Sequence, residues 1–121
     1  MINETLDKVR ELYASKQYDA ALSTLDRYKE AQELTAEMLL LKGRLIQLSE
    51  GNVHTLNDAK ECFLSVLRQD KENVNALLEL GWLFANVLDD PEEGRRYFSK
   101  AVEKCAELRE EAIKGLGSCT R

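Results

Sequence analysis

Apolar residues recur along this chain at three- and four-residue intervals from one end to the other. Leu41, Arg44 and Leu48 stand at i, i+3 and i+7, and Leu78, Trp82 and Asn86 at i, i+4 and i+8, so each set shares one helical face. Between them run Tyr18-x-x-Ala21-Leu22-x-x-Leu25-x-x-Tyr28, Ala59-x-x-x-Phe63-x-x-Val66-Leu67 and Gly94-x-x-x-Phe98-x-x-Ala101-Val102. A single proline and six glycines leave too little turn chemistry for many short strands. The pattern predicts helices at about 3 to 15, 18 to 31, 36 to 49, 56 to 70, 74 to 88, 91 to 107 and 109 to 119, seven in all. Start signals support several of these boundaries. Thr35 is a good cap before Ala36, Thr55 with Asp58 approximates a capping box, and Asp90-Pro91-Glu92-Glu93 joins a capping acid to a proline at the first helical position.

The pattern also repeats. Leu39-Leu40-Leu41-Lys42-Gly43, Leu77-Leu78-Glu79-Leu80-Gly81 and Ile113-Lys114-Gly115-Leu116-Gly117 align, and Thr5-Leu6-Asp7-Lys8-Val9 is a degenerate earlier copy. Each of the first three copies in chain order precedes one of the second-helix patterns, so two helices alternate per unit. Small residues at Gly43, Gly81, Ala21, Ala59, Gly94 and Ala101 allow close helix approach, and Leu25, Phe63 and Phe98 fill the space beside them.

These residues resemble the tetratricopeptide repeat, which sets a large apolar residue, Leu-Gly and an aromatic on one helix and Ala, Phe and Ala on the next. Leu77, Leu80-Gly81, Phe84, Phe98 and Ala101 match, with Gly94 in place of the usual alanine. The departures are an insertion within Ser49 to Thr55, Val9 where a small residue is expected, and the missing closing proline. The resemblance implies an all-α, right-handed α-solenoid of three antiparallel helix-pair repeats, at about 2–34, 35–72 and 73–108, in one domain. A terminal helix at 109–121 either caps the third repeat or opens a fourth.

In that architecture the first helices line a concave groove. The resemblance places Leu6, Arg10, Tyr13, Leu41, Arg44, Gln47, Leu48, Leu78, Glu79, Trp82 and Asn86 there, flanked by Leu40, Ala85, Lys114 and Ser118. Trp82, Tyr13 and the leucines would anchor apolar groups of a partner, or else Trp82, Leu40 and Leu78 pack in the core between repeats. Arg10 and Arg44 would hold a carboxylate, or are solvated charges paired with Asp7, Glu37 or Glu79. Relatives that clamp the acidic tails of heat-shock chaperones carry Lys, Asn and Arg at positions occupied here by Leu6, Arg10, Leu41, Asn75 and Glu79, so that ligand does not fit. The expected role is a protein-protein interaction scaffold that binds a peptide or helix of another protein. The alternative is an assembly protein that homo-oligomerises through its repeat ends.

Composition narrows the remaining classes. Seventeen Lys and Arg against 22 Asp and Glu in 121 residues leave a charge of −5, and no helix gathers a basic stripe, which argues against nucleic acid. The longest apolar stretch, Met38 to Leu41, is far short of a membrane span. Cys62, Cys105 and Cys119 are odd in number and form no CxxC pair, so a reducing cytoplasm is expected, with no metal and no cofactor. Cys62 reads as a core residue. The lone histidine, His54, reads as a loop residue without a companion, and no phosphate loop is present, so an enzyme is not expected.

Overall fold

A computed structural model describes the backbone of residues 2–31, 33–51 and 53–119. All regular structure among them is helical, as the spacing predicts, with no strand. Asn52 of the expected insertion, and Thr120 and Arg121 of the expected terminal helix, lie outside the described residues. The chain forms two compact units that divide after Gln69.

The first unit contains α1 (Ile2–Ala14), α2 (Tyr18–Ala31), α3 (Ala36–Leu48) and α4 (Leu56–Gln69). Each helix packs on the next in sequence, the arrangement that short connections impose. Lys16 ends α1 with φ 62°, a left-handed backbone that lets the Gln17 N–H reach back to the Leu12 carbonyl at 2.8 Å. Thr35 caps α3 by accepting from the Met38 N–H at 3.2 Å. At α4, Thr55 and Asp58 cap each other reciprocally, the carboxylate taking the Thr55 N–H at 2.9 Å and the hydroxyl taking the Asp58 N–H at 3.2 Å. Inside, Val9, Leu25, Met38, Leu45 and Phe63 have no exposed surface. Burying each of the larger ones is worth roughly 2 kcal/mol relative to water, so this stripe, not helix propensity, holds the unit together.

The second unit contains α5 (Val74–Trp82) and α6 (Pro91–Ser118). Asn73 caps α5 through the Ala76 N–H at 3.0 Å, and Asp90 caps α6 through the Glu93 N–H at 3.2 Å, just ahead of Pro91. The two helices run antiparallel: Phe98 of α6 lies over Gly81, while Lys104, further along α6, bonds Glu72 before the start of α5 at 2.6 Å.

Two expectations are corrected here. The helix at 74 to 88 is α-helical only to Trp82; Leu83–Val87 is a π-helical turn in which the Leu88 N–H reaches the Leu83 carbonyl five residues back at 2.9 Å. This wider turn lies against the first turn of α6, where a Cβ added to Gly94 would stand 2.9 Å from the Gly81 carbonyl oxygen and 3.0 Å from the Ala85 Cβ. Secondly, the helices at 91–107 and 109–119 are one helix of 28 residues. Nothing between Glu107 and Arg109 removes an N–H or caps a carbonyl, so the backbone continues through Leu108.

Each unit carries the same packing device. A Cβ on Gly43 would lie 2.4 Å from the Phe63 ring, and one on Gly81 2.6 Å from the Phe98 ring. In α1 and α2 the matching positions hold Val9 and Leu25, both fully buried, so a larger residue on the first helix accompanies a smaller one on the second.

Candidate functional site

On the first unit, the predicted binding residues of α1 and α3 divide by burial. Leu6, only 8% exposed, sits three residues before Val9 and joins it in the core, so it supports α1 from within and offers a partner little surface, contrary to its expected place in a groove. Tyr13 is half-buried, with its ring edge-on to Tyr18 at 5.7 Å. Leu41 is half-buried against the core, and Arg44 is half-buried on the same helix. Gln47 donates its side-chain amide to the Gly43 carbonyl at 3.3 Å, while Leu48 is 42% exposed. Arg10 already has carboxylate partners, Glu37 by hydrogen bond and ion pair and Asp7 at 3.8 Å. A ligand carboxylate at Arg10 would have to displace Glu37, and the exposed pair itself adds little to stability.

On the second unit, Leu78 and Trp82 are exposed, the tryptophan 58%, and Glu79 between them is half-buried. Trp82 meets Phe98 edge-on at 5.1 Å, so the ring that roofs Gly81 also steadies the indole while most of it faces solvent. Asn86 is exposed but falls inside the π-helical turn, which carries it off the straight α-helical line through Leu78 and Trp82. Behind this turn, Phe84 stacks on Tyr97 at 5.6 Å.

A charged cluster on the first unit is absent from the sequence expectations. Lys42 is only 5% exposed, and its ammonium pairs with Asp26 of α2 at 3.2 Å. The other oxygen of Asp26 meets His54 Nε2 at 2.8 Å, while His54 Nδ1 lies 3.6 Å from Asp58. His54 therefore has two companions and joins the α3–α4 connection to α2, which corrects its reading as an isolated loop residue. Its spacing of four from Asp58 was a visible signal; Asp26, 28 residues away, gave none. The Thr55 backbone N–H is the main cause that holds the Asp58 carboxyl below its ordinary pKa.

Lys42, His54 and Asp58 line an open cleft of about 210 Å³ together with Lys29, Glu61, Cys62 and others. Burial pushes the Cys62 thiol up, so it stays protonated and is a poor nucleophile. Among the described residues no three His, Cys, Asp or Glu side chains converge on a metal position. The cluster's chemistry is that of a structural tie across α2, α3 and the α4 cap.

No helix among the described residues is long and apolar enough to cross a membrane. Comparison with protein-family models, with curated proteins and with solved structures finds no match for this chain.

Proposed function

We propose that the protein is a tetratricopeptide-like interaction module that holds a peptide or helix of another protein through exposed side chains on the first helix of each pair. One observation carries this reading: the glycine beneath an aromatic ring, Gly43 under Phe63 and again Gly81 under Phe98, recurs at the aligned positions of two successive helix pairs. Such recurrence is what a repeat protein built from self-similar pairs requires. In this reading the pairs stack as a right-handed solenoid, α6 closes the array, and the free thiols of Cys62, Cys105 and Cys119 belong to a reducing cytoplasm.

Leu48, Leu78 and Trp82 supply the apolar anchors, and Trp82 is the strongest of them because an indole buries a large area with little loss of rotamer freedom. Tyr13, Leu41, Arg44, Gln47, Glu79 and Asn86 complete the surface, and Arg10 contributes only where a partner outcompetes Glu37. The test is affinity capture with the wild-type chain beside a Trp82→Ala, Arg44→Glu variant whose circular dichroism is unchanged. A protein partner retained by the wild type and lost by the variant supports the reading; equal retention by both overturns it.

A further inference from the structure

Lys104 ties α6 to the segment ahead of α5 through its 2.6 Å bond to Glu72, and every described residue beyond it, Cys105 to Cys119, is exposed. This exposed stretch is not polar all round. Cys105, Leu108, Ala112, Leu116 and Cys119 are spaced 3, 4, 4 and 3 residues apart, and at about 100° per residue they fall within an arc of about 80°. Leu108 is 46% and Leu116 69% exposed, and a Cβ on Gly115 or Gly117 would meet nothing within 4 Å.

That spacing reads the same from either end, with Ala112 at its centre. We propose that the exposed half of α6 pairs antiparallel with the same segment of a second copy of this chain, on a two-fold axis through Ala112, and that, when an oxidant overrides the reducing surroundings that keep these thiols free, disulfides between Cys105 of one copy and Cys119 of the other lock the pair. The register follows from the symmetry. Leu108 meets Leu116 of the second copy at both ends of the apolar stripe, and the small Ala112 sits where the helices cross. On one flank Ile113 meets its own counterpart. On the other Glu111 meets Glu111, a like-charge contact that salt screens.

Buried area decides why the thiols matter. Fifteen residues of helix, about 21 Å long and about 10 Å wide, bury on the order of 400–500 Å² over both partners, well below the roughly 1,200 Å² of a stable interface. The non-covalent pair is therefore weak. At an interaxial distance of about 8–10 Å, facing Cα atoms come within the span that a disulfide bridges. Within one helix, Cys105 and Cys119 are about 21 Å apart and cannot join.

A small disulfide such as oxidised glutathione supplies the oxidant. The Cys105 thiolate attacks it, its S–S bond breaks, and a mixed disulfide forms as one small thiol departs. The Cys119 thiolate of the second copy then attacks the protein sulfur and displaces the second small thiol. Two protein thiols are oxidised, one small disulfide is reduced to two thiols, and the two protons pass to them.

The experiment treats the full chain with oxidised glutathione, separates it without reductant, and maps the linked tryptic peptides, in which Cys105 and Cys119 fall on different fragments. A dimer of twice 13.8 kDa joined predominantly Cys105 to Cys119 is expected, and loss of that dimer in Ala112→Arg, an exposed position that tolerates a helix-forming residue. A chain that stays monomeric overturns the proposal. So do Cys105–Cys105 and Cys119–Cys119 links as abundant as the mixed one, or a dimer undiminished by Ala112→Arg.

Discussion

The ring of Phe63 occupies the place where a side chain at position 43 would begin: its Cε1 lies 2.4 Å from a Cβ built on Gly43. Two helix backbones approach at that point because one residue has no side chain and the other fills the gap. Phe63 is fully buried, so the ring has no solvent to retreat into.

Gly43→Ala is expected to lower stability by up to about 2 kcal/mol. Alanine gains about 1 kcal/mol of helix propensity, and overpacking of about 1–3 kcal/mol outweighs it. Adding Phe63→Leu makes room, as Leu25 does opposite Val9, so the double variant is expected to be more stable than the sum of the single effects by at least about 0.5 kcal/mol. Urea unfolding of the four proteins in the cycle measures this coupling, and strict additivity would show that ring and glycine do not act as one unit.

The Lys42–Asp26 pair gives an asymmetric expectation. Asp26→Ala leaves a buried ammonium without its carboxylate and should cost about 2–3 kcal/mol, below the figure for a fully buried pair because Asp26 is 33% exposed. Lys42→Met keeps the packing and leaves Asp26 in contact with both His54 and water, so its cost should stay under about 1 kcal/mol. Equal losses in thermal unfolding would mean that the ion pair, rather than burial of the stem, sets the energetics there.

Asp58 sets an acid limit on the α4 cap. The Thr55 N–H holds its folded pKa below the ordinary 3.8, so the contribution is complete above that value and disappears as pH falls through the lower folded value. Asp58→Asn is therefore expected to flatten the acid side of the stability-against-pH curve and to leave its slope near neutrality unchanged. A wild-type acid limb retained by the variant would remove Asp58 from that transition.

Helix starts were legible because their chemistry is local. Thr35, Thr55 with Asp58, and Asp90-Pro91 each act within three residues, and each caps where its side chain predicts. The small-under-aromatic pairing was legible too, because spacing alone sets Gly43 and Phe63 on facing stripes. What escaped depends on contacts between distant residues or on the absence of a signal. Lys42 stands in an apolar run, yet its burial needs Asp26 on another helix; Leu6 and Leu41 look alike in sequence but differ in depth. The repeat period implies a break near Leu108, but no residue there interrupts the backbone, and α6 runs through it as one helix.

In the first unit each helix leans on its immediate neighbour in sequence, and α5 and α6 do the same in the second. Ordering such a chain requires closing only short loops, so the entropic barrier to each step is small, and helical proteins of this low contact order fold in microseconds to milliseconds. An early hairpin can therefore be complete while the later helices are still leaving the ribosome, with few greasy surfaces left waiting for a distant strand or terminus.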